Sequence, residues 1–100
     1  MAKQVIWSQR AQTDRKEILA YWRKRNRSNT YSLKLNALFR EAVALISDHP
    51  GIGRETDKEN VRAKIVRDYL LIYQETDRRI EILTLWDSRQ DPEKLSKIIE

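Results

Sequence analysis

One hundred residues carry 20 Lys/Arg against 15 Asp/Glu, for a formal charge of +5, with 40% hydrophobic residues and no Cys. That is chain enough for a single domain over 1–100 that buries a core with little stability to spare. The basic balance favours nucleic acid, a ribosome or an acidic protein over a small neutral substrate, and the missing Cys excludes disulfides and thiolate metal sites.

Lys3 to Trp7 is short, β-branched and aromatic, which predicts a strand. Ser8 follows as a helix cap. From there to Arg25, the three- and four-residue spacing of Ala11, Arg15, Ile18, Leu19 and Trp22 draws one apolar stripe, widened by Tyr21. Arg23-Lys24-Arg25-Asn26-Arg27 closes this helix with cations at the negative end of its dipole. Ser28 or Asn29 caps a second helix, whose buried face is Tyr31, Leu35, Leu38, Phe39, Ala42, Leu45 and Ile46. It stops near His49-Pro50, because a residue before Pro avoids the α region. Two such helices with a short joint predict an antiparallel hairpin.

Residues 50–60 read as a polar loop. The period then changes to two: Val61, Ala63 and Ile65 alternate with Arg62 and Lys64, as in a half-exposed strand. Arg67-Asp68 is a tight connection, Tyr69 to Gln74 a second strand, Thr76–Arg79 a turn and Ile80 to Trp86 a third strand. Asp91-Pro92 is a helix-start signal, and Leu95, Ile98 and Ile99 give the short last helix an apolar face. The predicted class is α+β: an N-terminal strand, an antiparallel helix hairpin, a three-stranded antiparallel meander and a short C-terminal helix. No apolar leader, membrane span, P-loop, nucleophile elbow or dinucleotide fingerprint is visible. No cofactor, metal or membrane partner is therefore expected, and a cytoplasmic setting is.

Several signposts occur in order. Val5-Ile6-Trp7-Ser8-x-x-Ala11 opens the chain, and His49-Pro50-Gly51-Ile52-Gly53-Arg54 ends the second helix. Tyr69-x-x-Ile72-Tyr73 marks the central strand, and Ile80-x-Ile82-Leu83 with Trp86-Asp87-Ser88-Arg89-Gln90-Asp91-Pro92 finishes the meander. Together they resemble the RelE/ParE superfamily, the toxin halves of bacterial type II toxin–antitoxin pairs, over nearly the whole chain. The resemblance implies growth arrest, by RelE-like cleavage of mRNA on the ribosome or by ParE-like inhibition of DNA gyrase, and neutralisation by a cognate antitoxin. Outside the toxin class, a non-catalytic module that binds nucleic acid or ribosomes, or an inactive superfamily member, is the alternative.

Within that frame Arg62, Lys64, Arg67 and Arg89 are the candidate catalytic cations, since an RNA-cutting site gathers positive charge around the scissile phosphate. A solvated edge-strand face is the competing reading of the first three. Arg54, in a loop, either contacts the target or anchors that loop. Arg23, Lys24, Arg25 and Arg27 either dock on phosphates or form a solvated hairpin tip. Acid–base work would fall to Lys64, Tyr73, Asp87 or Glu55, for His49 reads as a helix terminator. Two positions depart from the ribonuclease pattern: Leu70 stands where Arg is common, and Asp87 where His is common. The aromatic residues read as core.

Overall fold

Ser8 does two jobs that start the architecture. Its hydroxyl accepts from the Ala11 amide, capping the helix, and donates to the Leu83 carbonyl on a distant strand. In the computed structural model, residues 2–98 are described, the side chains of Ser96 and Ile98 excepted. The elements are β1 (Gln4–Trp7), α1 (Gln9–Asn26), α2 (Thr30–Asp48), one 3-10 turn (Pro50–Ile52), β2 (Arg54–Glu55), β3 (Val61–Val66), β4 (Tyr69–Glu75), β5 (Arg79–Asp87) and α3 (Pro92–Ile98). The sheet has the order β1-β5-β4-β3-β2, with β1 parallel to β5 and the other pairs antiparallel. The expected meander is there, and the N-terminal strand joins its β5 side. A two-residue strand, β2, emerges from the predicted loop against Arg62 and Ala63.

The helix hairpin covers one face of this sheet. Ala11, Leu35, Phe39, Ala42 and Ile46 from the helices meet Val66, Tyr69, Leu71, Tyr73, Ile80, Ile82 and Leu85 from the strands, all nearly or fully buried. Arg15 occupies the apolar stripe of α1 because its guanidinium stacks over the Trp7 ring at 4.5 Å. The far end of α2 is tied to β1 by Lys3 N–H to Ser47 O (3.1 Å) and Ser47 Oγ to Lys3 O (2.6 Å). Lys3 also reaches Glu75 (2.8 Å). Asp91 caps α3 through the Glu93 amide, as its sequence predicts. Of the apolar residues expected on that helix, Leu95 is half-buried. Ile99 and the Ile98 side chain lie outside the described residues.

Three expectations of burial differ. Leu45 is 45% exposed and Tyr21 50% exposed. On β3, Arg62, Lys64 and Val66 lie beside Tyr73, Leu71 and Tyr69 on the helix-covered side, and of the apolar set expected inward Val61 is buried but Ile65 is 57% exposed. Period-two alternation identifies two faces but not which one a neighbouring layer covers. Near a sheet edge, long Arg and Lys stems can cross apolar surface and still reach water.

A β-bulge interrupts the β4–β5 pairing: Ile72 pairs with Thr84 and Tyr73 with Ile82, leaving Leu83 extra. Ser8 takes up the Leu83 carbonyl and donates its own amide to Ile82 O. One turn into α1, the Asp14 carboxylate accepts from Thr84 Oγ1 and the Leu85 amide. The bulge is thus where α1 is fastened to the sheet. Ser8→Ala removes both the cap and the strap and should destabilise the fold by about 1–2 kcal/mol, read as a lower urea midpoint at unchanged slope.

Candidate functional site

The fastening at the bulge lays α1 across the C-terminal end of β5 and opens a cleft of about 410 Å³ between them. Arg10, Asp14, Glu17 and Tyr21 line one wall, and Tyr69, Asp87, Arg89 and Gln90 line the other. The Trp22 indole donates to the hydroxyl of Tyr69, a cleft residue, at 2.8 Å. Trp22 in turn packs edge-on against Tyr21 and Tyr31, with ring centroids 5.1 and 5.0 Å apart. Burial raises the Tyr69 phenol above its ordinary value, against the Trp22 hydrogen bond, which lowers it.

Arg89 is held at the cleft mouth by Asp87, through Nε to Oδ1 at 3.0 Å and Nη2 to Oδ2 at 2.8 Å. Its backbone amide also meets Asp87 Oδ1. This fork-to-fork pair keeps the guanidinium 61% exposed in a set direction. The Arg89 hydrogen bond lowers the Asp87 pKa, and the carboxylate raises that of Arg89. Ser88, between them, donates from both backbone and side chain to Asp68 O in the β3–β4 turn.

A second constellation holds the loop after α2. The Tyr73 hydroxyl donates to Pro50 O (2.6 Å) and accepts from the Gly53 amide (2.9 Å). Arg62 Nη1 donates to Gly53 O (2.9 Å), and Nη2 meets Glu55 at 3.4 Å. A Cβ on Gly53 would stand 2.5 Å from the Tyr73 hydroxyl and 3.0 Å from Arg62 Cβ, so the close approach demands glycine. Burial raises the Tyr73 phenol, against the Gly53 hydrogen bond. The anchoring role considered for Arg54 is filled by Arg62, while Arg54 lies exposed beside Ile52, Ile65 and Leu70 in a shallow groove.

The remaining sequence candidates scatter. Lys64 is half-buried and borders the groove between β3 and α2. Arg67 occupies the β3–β4 turn at φ 57°, a left-handed conformation that costs a bulky side chain about 1 kcal/mol. Lys64 and Arg67 border the same groove, whereas Arg62 is turned to Gly53 O and Glu55, so the three do not gather at one point. Arg23, Lys24, Arg25 and Arg27 are all exposed at the hairpin tip. Arg27 ends α1 at φ 52° with its amide on Arg23 O, and Ser28 rather than Asn29 supplies the side-chain cap to Thr30. The sequence reading did not single out Asp14 or Tyr21 in the cleft wall, the Trp22–Tyr69 hydrogen bond, or the clamp of Tyr73 on Gly53. One signal was available: Asp14 stands three residues after Ala11 and four before Ile18, an acid on the apolar stripe.

A helix hairpin laid over one face of a five-stranded sheet defines a small α+β class of fold. The structure is similar to one described as "Chromosomal ParDE TA system from P. aeruginosa", with a TM-score of 0.73 and 18% identity over 86% of this chain and 96% of that one. No curated protein sequence matches. The family described as "ParE toxin of type II toxin-antitoxin system, parDE" matches residues 5–92, and the chain belongs to it. Of the two branches that the sequence resembles, the match is to ParE.

Two outcomes follow from the geometry. Tyr73→Phe leaves the Gly53 amide and Pro50 carbonyl without their partner and should cost about 1–3 kcal/mol, with Gly53→Ala at least as damaging; thermal or urea unfolding reads both. Because the folded Asp87 carboxyl lies below its unfolded value of about 3.9, its contribution to stability is present above that pH and is lost as pH falls through the folded value. A carboxyl-detected NMR titration should place the Asp87 midpoint below 3.9 and show it rising in Arg89→Ala.

Proposed function

We propose that the protein arrests growth as a ParE-type inhibitor of DNA gyrase, and that a cognate antitoxin neutralises it. The observation that carries the choice of target is the commitment of Arg62 to the loop, which separates it from Lys64 and Arg67. Arg62 is engaged on Gly53 O and Glu55, while Lys64 and the turn residue Arg67 share a groove beside α2 with Glu41. A ribonuclease needs such groups to converge on one phosphate. Acid–base cleavage also favours groups whose pKa lies near 7. The shifts here run the other way for Tyr69, Tyr73 and Asp87. Inhibition by surface contact requires neither convergence nor proton transfer.

On this reading Arg89, presented by Asp87, and Arg54, presented by the clamped loop, are target contacts. The antitoxin occupies the edge of β3. There β2 pairs only with Arg62 and Ala63, and apolar grooves flank the strand on either side, one with Leu38 and Leu45, the other with Ile52 and Leu70. An added strand would use both grooves, one for each face of its alternating side chains. Gyrase and its DNA put the site of action in the cytoplasm, and no described helix is long and apolar enough to cross a membrane.

The purified chain should abolish gyrase supercoiling and leave mRNA on programmed ribosomes uncut. Arg89→Ala should weaken that inhibition roughly tenfold, the loss of about 1.4 kcal/mol of contact. Ribosome-dependent cleavage with normal supercoiling would transfer the chain to the RelE-like activity.

A further inference from the structure

The hairpin tip concentrates a charge that neither the core nor the cleft uses. Between Glu17 and Glu41 there is no Asp or Glu, while Arg23, Lys24, Arg25, Arg27, Lys34 and Arg40 fall inside that span. The four at the tip are exposed, and among the described residues their side chains make no hydrogen bond or salt bridge. A solvated tip needs no such imbalance, since interspersed acids would keep it soluble without local repulsion. The backbone that displays the cations is fixed: the amides of Arg27 and Ser28 both return to Arg23 O.

The position of the tip adds to its charge. The Trp22–Tyr69 hydrogen bond sets the last turn of α1 against the end of the sheet where Tyr69 pairs with Asp87. Arg67, in the turn two residues before Tyr69, and Arg89, two residues beyond Asp87, are therefore at the same end of the molecule. The acids near them are Asp68, Asp87, which Arg89 holds, Asp14 and Glu17 across the cleft from Arg89, and Glu41 in the groove beside Arg67, so the four tip cations are the part of this end without an acid among them.

We propose that this basic end, led by Arg23, Lys24, Arg25 and Arg27, binds the phosphate backbone of duplex DNA without reading sequence, so that the protein holds DNA as well as enzyme. Cations without fixed partners suit a regular array of phosphates. Residues 23–30 carry no aromatic side chain, and of those flanking them Trp22 and Tyr31 pack on each other and only Tyr21 is exposed, which is too little for the row of stacking rings that single-strand RNA readers use. The preference for DNA over an RNA helix rests on the gyrase reading, because gyrase presents duplex DNA to whatever binds it.

The test uses the full chain and a fluorescent duplex of about 30 base pairs, with gyrase absent. Four phosphate contacts should weaken binding roughly 100-fold between 50 and 200 mM salt. Arg23→Ala, Lys24→Ala, Arg25→Ala and Arg27→Ala combined should bind at least tenfold more weakly at 50 mM salt, with a much shallower salt dependence and an unchanged melting temperature. Arg23→Lys, Arg25→Lys and Arg27→Lys combined should retain binding, since a phosphate accepts either cation. Failure to bind the duplex at 50 mM salt, an unaltered salt dependence in the alanine variant, or tighter binding of single-stranded RNA of equal charge would each overturn the proposal. None of these results would touch gyrase inhibition measured on its own. Conversely, intact DNA binding beside normal supercoiling would remove only the gyrase reading.

Discussion

The structure depends on how α1 is fastened to the bulge in β5. An extra residue, Leu83, breaks the ladder and leaves backbone groups to be satisfied. The Ser8 hydroxyl and Asp14, six residues apart at the start of α1, take up Leu83 O and the Leu85 amide, while the Ser8 amide extends the β1–β5 pairing onto Ile82 O. A helix held at two points along its length has its direction set as well as its position. That direction carries Trp22 to the Tyr69 hydroxyl, opens the cleft beside Asp87 and Arg89, and delivers the basic tip to the same end of the sheet.

The other end of the molecule follows a different constraint. The phenol of Tyr73, buried in the core, reaches out to hold both Pro50 O and the Gly53 amide. Arg62 finishes the clamp, which orders the loop that displays Ile52 and Arg54. A cation suited by type to phosphate chemistry is thereby committed to architecture. Arg54 is left exposed in the groove with Ile52, Ile65 and Leu70, and Arg89 at the mouth of the cleft.

Much of this was legible in the sequence where local chemistry dominates. The Ser8 cap, the Asp91-Pro92 start, the His49-Pro50 stop and the period-two run after Val61 each rest on a few neighbouring residues, and the elements lie where those signals put them. What was not legible depends on distant partners. The inward face of β3 depends on where α2 overhangs, and the bulge on a count of residues across two strands. The role of Arg62 depends on a loop folded back to it by Tyr73, twenty residues from Gly53 in sequence. Leu45 and Tyr21 fit apolar stripes by spacing, yet each stands at the margin of its helix's buried face. Asp14 lay between these cases: its place on the stripe of α1 marked it as paired, but only the fold names Thr84 and Leu85.

If the bulge fastening sets the direction of α1, then loosening it must be felt at the tip. Native-state hydrogen exchange on Asp14→Ala tests this directly, with the Leu85 amide, the Trp22 indole and the Lys3 amide as reporters. Leu85 and Trp22 should lose protection together while Lys3, bonded to Ser47 at the opposite end, keeps its own. Unchanged protection of the Trp22 indole in a variant whose Leu85 amide exchanges freely would contradict it.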